Sequence, residues 1–124
     1  MDGDQLLKEI ERRAEFPDRH HAQVAAGAVL STLGERLKGR EPANLAAQLP
    51  AEFAEALPEQ GSGEPFAIDE FDRRVAEREG GGCTPAQAHR HAHVVMTAVL
   101  GSVSGGERAD VAAQLPADYT DMLP

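Results

Sequence analysis

The sequence predicts an all-α fold: a single domain of two tandem, pseudo-symmetric helical repeats with three to four helices each. The first observation is a repeated hexapeptide, Ala-Ala-Gln-Leu-Pro-Ala, which occupies residues 46–51 and again residues 112–117. The second is that apolar residues recur at steps of three and four, the spacing of one helix face. The third is composition: alanine is abundant, aromatic residues make up 4% of the chain, and alanine costs least to fix in a helix.

The repeated hexapeptide also predicts the domain organisation. Each copy is followed by the same Leu-Pro pair, at residues 57–58 and 123–124. We predict one repeat over residues 4–58, a second over residues 66–124, and a linker over residues 59–65, whose Gly and Pro residues are typical of a connection. A unit of about 60 residues buries only about 60% of its unfolded surface. We therefore expect the two repeats to share one core.

Two helices are predicted before residue 40. Asp4 is expected to cap the first, and Phe16-Pro17 to end it, because the residue before proline is pushed out of the α region. Asp18 is expected to cap a second, longer helix, which Gly39 ends in a left-handed conformation. The inward stripe of this longer helix consists of Ala22, Ala26, Val29, Leu30, Leu33 and Leu37.

Two short helices complete the first repeat. Glu41-Pro42 is expected to open one of them, because proline suits the first helical position. Pro50 stops this helix and starts the next, which ends before Pro58. The glutamine beside this corner, Gln48, is either an exposed recognition residue or a local partner for free backbone carbonyls. We favour the local, structural role, and the same choice applies to Gln114 in the second repeat.

The second repeat follows the same plan. Asp69 is expected to cap its first helix, which ends in a run of glycines at residues 80–82. Thr84 opens the long helix with a Thr-Pro-Ala-Gln capping box, and Ser104 opens the next with a Ser-x-x-Glu box. The inward stripe of the long helix consists of Ala88, Ala92, Val95, Met96, Val99 and Val103.

Charge and composition exclude several classes of function. The net charge of −9 argues against nucleic acid as a partner, because phosphate binding needs clustered Lys and Arg. Basic pairs such as Arg12-Arg13 are interleaved with acids and are expected to form helix-spaced ion pairs, for example with Glu9. The longest uncharged apolar stretch is about half the roughly 20 residues that a membrane span requires. A single cysteine, Cys83, suits a reducing compartment. We expect a soluble, cytoplasmic protein with no membrane association.

Several segments resemble the bacterial domain-of-unknown-function family 2267. The segments are Phe71–Arg78 and Gly106–Pro116, with the matching pieces Glu35–Leu37 and Asn44–Pro50 in the first repeat. The resemblance covers nearly the whole chain, and its most specific piece is the Ala-Gln-Leu-Pro corner. It implies a small, duplicated, all-helical protein with no established activity, catalytic residues or cofactor. The histidine-rich second repeat departs from the family pattern.

The histidine cluster is the first candidate site. His89 and His93 lie four residues apart in one helix, so they share a face and could supply two ligands to Zn²⁺. Cys83, in the preceding loop, is the only soft ligand nearby, whereas His91 points roughly the opposite way. The competing interpretation is that these histidines are partly exposed polar residues beside the core. Cys83 at a helix start is either a reactive thiol or an incidental loop cysteine, and we favour the latter.

Two hypotheses for function remain open. The favoured hypothesis is a non-enzymatic helical protein that acts through contact with an unknown protein partner or with itself. The alternative is a small-molecule or metal-binding protein that uses the histidine-rich helix of the second repeat. No catalytic constellation is visible, and we predict no catalytic residues and no cofactor. A pocket with convergent His, Cys and acidic groups would favour the alternative, and a flat apolar patch would favour the first.

Overall fold

Helices account for most of the chain in the computed structural model, which describes residues 1–124. They are α1 (Gly3–Ala14), α2 (Arg19–Arg36), α3 (Glu41–Ala46), α4 (Ala51–Ala54), α5 (Ile68–Glu79), α6 (Pro85–Gly101), α7 (Gly105–Ala113) and a C-terminal 3-10 helix (Ala117–Met122). Two short strands, β1 (Lys38–Gly39) and β2 (Gly61–Ser62), pair antiparallel with Lys38 opposite Ser62. The predicted all-α fold class is confirmed, but the sequence did not predict these two strands, of which only β2 lies inside the predicted linker.

The buried side chains form one continuous core, which agrees with a single domain. All twelve residues of the two predicted stripes are buried, although Leu37 and Val103 lie just beyond the ends of α2 and α6. These two long helices pack against each other. In addition, α1 packs on α6 and α2 packs on α5, so the first helix of each half contacts the long helix of the other half. Each half therefore buries part of its apolar surface against the other half.

The helix starts show where local sequence rules hold. Asp18 caps α2 by accepting the backbone N–H of His21, and Thr84 forms the predicted capping box with Gln87. The prediction for α1 was wrong by two residues. Asp2, not Asp4, is the cap, because Gln5 lies three residues after Asp2 and completes a reciprocal box with it.

Two further boundary predictions were wrong because partners distant in sequence intervene. Gly39 has a positive φ of 65°, but α2 already ends at Arg36, and Gly39 lies in β1. Asp69 does not cap α5. The cap position is Ala67, and the free backbone N–H of Ile68 donates to the Asp118 carboxylate at 2.8 Å.

The predicted Ser104 box is only half formed. The Ser104 hydroxyl accepts the backbone N–H of Glu107, but the backbone N–H of Ser104 donates to Gln48 Oε1 at 2.8 Å. Correspondingly, the backbone N–H of Lys38 donates to Gln114 Oε1 at 2.9 Å. The two corner glutamines thus join segments far apart in sequence, beside the place where α3 contacts α7.

Several surface charges form ion pairs. Glu9 forms the expected ion pair with Arg13 and a second with Arg12. Arg74 connects Glu35 of α2 with Glu64 and Glu70, and it lies 4.1 Å from the centre of the Phe66 ring. None of the helices is both long and apolar enough to cross a membrane.

Candidate functional site

A tight loop between α5 and α6 positions the candidate site. The three glycines that end α5 all have positive φ values, 68° at Gly80, 60° at Gly81 and 80° at Gly82. Residues with a Cβ atom rarely adopt a positive φ, whereas glycine does so at no steric cost. The loop reverses the chain within four residues, and the Thr84 capping box then starts α6. As a result, Cys83 lies between the last residue of α5 and the first turns of α6.

The loop brings together three side chains of different ligand chemistry. One potential ligand atom from each of Glu79, Cys83 and His91 lies within 4.8 Å of the other two. His91 Nδ1 lies 2.9 Å and 3.0 Å from the two Glu79 carboxylate oxygens. Both side chains are buried, with Glu79 9% and His91 11% exposed. Without an ion, this hydrogen bond holds the Glu79 and His91 side chains together beside Cys83.

A cleft of about 420 Å³ opens onto this cluster. Its opposite wall comes from the first half of the chain, where Phe16 packs its ring 4.7 Å from the His91 ring. His20 and His21, at the start of α2, also line the cleft, as does Arg90. The site therefore lies between the two halves and offers two further imidazoles near its mouth.

The electrostatics keep the Cys83 sulfur protonated in the absence of a cation. Burial raises the pKa of the Cys83 thiol, and the neighbouring Glu79 carboxylate raises that pKa further. A nucleophilic cysteine requires the opposite shift, because the thiolate is the reactive species. A bound cation, however, displaces the thiol proton and pairs with both the sulfur and the carboxylate. The arrangement therefore suits metal binding better than nucleophilic catalysis.

The histidines singled out from the sequence are not brought together with Cys83. His89 Nδ1 lies 2.9 Å from the Asp72 carboxylate, and its Nε2 lies 3.5 Å from Asp121 near the C-terminus. Burial raises the pKa of Asp72, while the hydrogen bond with His89 lowers it. His93 is exposed to solvent. Metal binding by His89 and His93 stays a prediction, and Cys83 alone of the three lies in the cluster.

Sequence reasoning missed Glu79 and His91. The helical wheel correctly separates His91 from His89 and His93, but it cannot show which side of α6 the preceding loop faces. The available signal was the run of three glycines between Glu79 and Cys83, because consecutive positive φ values fold the chain back on itself. A chain reversed at that point returns the end of α5 to the first two turns of α6, where His91 lies.

Comparison with known proteins adds a family but no activity. A family model described as an uncharacterized conserved protein, DUF2267, matches residues 3–122, which is nearly the whole chain. No curated protein matches the sequence.

Proposed function

Because this chain belongs to the DUF2267 family, for which no activity is described, we propose from its geometry that it binds a divalent transition metal of the Zn²⁺ type. The proposed ligands are Glu79, Cys83 and His91. The observation that carries the proposal is the convergence of one sulfur, one imidazole nitrogen and one carboxylate oxygen within 4.8 Å at the base of a cleft. This is the alternative hypothesis, with His91 in place of His89 and His93 as the histidine ligand and with Glu79 added.

The ligand types select the class of metal. Zn²⁺ accepts thiolate, imidazole and carboxylate at about 2.0–2.3 Å, whereas Mg²⁺ and Ca²⁺ prefer oxygen ligands alone. Sulfur together with nitrogen favours a borderline or soft cation over a hard one. Ligand atoms within 4.8 Å of one another need only small side-chain movements to reach one tetrahedral ion. The Gly80–Gly82 loop, whose glycines leave open space around their Cα atoms, can accommodate such movement.

Three protein ligands leave the fourth tetrahedral position open. In zinc proteins an open position holds water or a small ligand, whereas four protein ligands are typical of purely structural sites. The cleft gives such a ligand access from solvent, and His20 lines the same cleft as a possible fourth ligand. The number of protein ligands thus distinguishes a ligand-accepting centre from a structural one.

The protein-interaction hypothesis, favoured by the sequence alone, stays a prediction. It expects a flat apolar patch, but Met1 is the only large hydrophobic residue that is exposed. A non-enzymatic role likewise stays a prediction. The convergent cluster is the more specific feature, so metal binding takes precedence.

Titration calorimetry with Zn²⁺, and optical titration with Co²⁺, tests the proposal. We expect micromolar or tighter binding and a thiolate-to-cobalt charge-transfer band. Cys83→Ser and His91→Gln should each weaken binding by about 10–100-fold or more. His93→Gln is the matched control, because this histidine lies on the same helix but is exposed, and it should bind like the wild type.

Two outcomes would contradict the proposal. One is the absence of binding below millimolar metal. The other is loss of binding in His93→Gln or His89→Gln with full binding in His91→Gln, which would restore the site expected from the sequence. Affinity should also rise with pH, because the metal must displace the proton of a thiol whose pKa is raised.

A further inference from the structure

Two buried glutamates meet where α3 packs against α7, far from the cleft. Glu41 is the first residue of α3, and Glu107 lies in the first turn of α7. Only 8% of Glu41 and 6% of Glu107 is exposed. Acidic side chains are almost never buried to this degree unless they are paired. Their pairing therefore needs a physical account.

The two carboxyl groups have each other as partners and no cation. The Glu41 carboxyl is close enough to raise the pKa of the Glu107 carboxyl. Oε2 of each residue is buried and has no hydrogen-bond partner. Two adjacent carboxylates cannot both ionise cheaply in such a place. One proton held between them supplies the missing donor and removes the repulsion between two like charges.

The surrounding charged side chains do not neutralise the carboxyl groups of Glu41 and Glu107. Asp110, one turn along α7, adds a further negative charge. Arg108 donates instead to the backbone carbonyls of Leu100 and Val103. Lys38 and Arg40, which precede α3, are exposed. Burial, followed by the Glu41 carboxyl, raises the pKa of Glu107 to about 7.

We propose that Glu41 and Glu107 form a proton-binding site that holds the contact between α3 and α7 closed. At pH 6 one proton is shared and the contact is intact. As the pH rises through neutrality the proton leaves and two unscreened carboxylates remain buried side by side. Their repulsion is relieved by separation of α3 from α7, which hydrates both groups. This site involves none of the metal ligands proposed above.

The contact has few other polar interactions to keep it closed. The Gln48 and Gln114 hydrogen bonds to Ser104 and Lys38 span the same region, but both lie at the exposed surface. Behind the glutamates, Leu45 and Val111 are fully buried. Separation of α3 from α7 would expose this apolar surface, which makes the opening measurable by hydrogen exchange and by denaturant unfolding.

The direction of the pH effect follows from linkage. A carboxyl whose pKa is raised in the folded state contributes stability that is complete below its unfolded pKa, about 4.5, and is lost as the pH rises through about 7. Most acidic groups act in the opposite direction. Between pH 6 and pH 8.5 we expect the unfolding equilibrium constant of the wild type to increase roughly tenfold from this pair.

Urea unfolding of the full chain at pH 6 and pH 8.5 tests the proposal. Glu107→Gln and Glu41→Gln each replace the shared proton with a permanent amide donor. In both variants the roughly tenfold increase in the unfolding equilibrium constant between pH 6 and pH 8.5 should therefore be absent. Glu55→Gln is the matched control, because Glu55 is exposed on the neighbouring helix end, and it should follow the wild type. Equal pH dependence in wild type, Glu107→Gln and Glu55→Gln would overturn the proposal.

A second measurement does not depend on variants that fold. Carboxyl-carbon NMR of the wild type should show that Glu107 titrates near pH 7, and titration of every glutamate below pH 5.5 would overturn the proposal. Millimolar Ca²⁺ tests the competing occupant. Stabilisation of the wild type by Ca²⁺ at pH 8.5, absent in Glu107→Gln, would assign the pair to a cation instead of a proton.

Discussion

The side chain of Gln48 clamps Ser104, 56 residues further along the chain, through two hydrogen bonds. Its Oε1 accepts the Ser104 backbone N–H at 2.8 Å, and its Nε2 donates to the Ser104 hydroxyl at 3.3 Å. Gln114 Oε1 likewise accepts the backbone N–H of Lys38, through a single hydrogen bond. In both cases the glutamine of the repeated Ala-Gln-Leu-Pro corner satisfies a backbone donor just before a short helix of the other half. The repeated motif therefore joins the two halves of the chain.

We predict that Gln48→Ala lowers the free energy of unfolding by about 1 kcal/mol, and that Gln114→Ala does so by a similar amount. The hydrogen bonds are exposed, so water replaces part of what is lost. Gln60→Ala is the control, because Gln60 is an exposed glutamine of the connecting segment. Urea unfolding measures the difference. If Gln48→Ala and Gln60→Ala are equally stable, the two hydrogen bonds between Gln48 and Ser104 make no net contribution to the free energy of unfolding.

Tyr119 provides the second prediction. Its ring is fully buried 5.7 Å from the Phe71 ring, and its hydroxyl donates to the Phe66 carbonyl at 2.7 Å. Burial raises the pKa of Tyr119 to about 12, so the hydroxyl remains a donor at neutral pH. Tyr119→Phe should cost about 1 kcal/mol and not more, because the Phe66 carbonyl also accepts from Arg36.

The comparison variant for this prediction is Tyr119→Leu, which also removes the aromatic ring. We expect it to cost clearly more than Tyr119→Phe, because packing is lost in addition to the hydrogen bond. Thermal unfolding followed by circular dichroism ranks the three proteins. A Tyr119→Phe protein as stable as the wild type would show that the hydroxyl bond makes no net contribution.

The elements that the sequence predicted correctly depend on neighbours close in the chain. The stripes of α2 and α6 follow from helical periodicity, and the Asp18 and Thr84 caps follow from side chains that bond three residues ahead. The errors at Gly39 and Asp69 have a different origin. There the backbone is satisfied by a strand partner or by Asp118, which no local rule can identify.

The candidate site also contains features that local sequence rules could predict and features that they could not. The sequence singled out Cys83 and the helix that carries His91, because residue type and periodicity are local properties. It did not identify Glu79 and His91, since their meeting depends on the direction in which three glycines turn the chain. The sequence did not predict the pair of Glu41 and Glu107 either, because their contact depends on how α3 packs against α7. Glu107 was assigned to a capping box with Ser104, whereas Gln48 takes that role and leaves Glu107 to face Glu41.

Acid sensitivity is the third prediction, and it involves Glu35. Hydrogen bonds from Arg78, and then from Arg74, lower the pKa of this carboxyl below its usual value. A lowered pKa contributes stability that is present above the unfolded pKa of about 4.5 and is lost as the pH falls through the folded value. Stability should therefore decline on acidification below about pH 4.5.

Glu35→Gln should be less stable than the wild type at pH 7 by about 1 kcal/mol, because the carboxylate is only partly buried and is screened by solvent. It should also lose less stability between pH 5 and pH 3. Glu59→Gln serves as the control, since Glu59 is exposed and forms no ion pair. Parallel pH profiles for Glu35→Gln and the wild type would contradict this account of acid sensitivity.

The fourth prediction compares two glycines of the same helix, α2. A Cβ atom added at Gly27 meets nothing within 4 Å, whereas one added at Gly34 would overlap the ring of Pro58. Gly27→Ala should therefore raise the free energy of unfolding by up to about 1 kcal/mol, because alanine loses less backbone entropy in a helix. Gly34→Ala should lower it by about 1–3 kcal/mol, since α2 must move away from Pro58. The double variant Gly34→Ala with Pro58→Ala should recover part of this loss in urea unfolding. If both single glycine variants shift stability in the same direction, close packing of Pro58 on α2 is not what requires glycine at position 34.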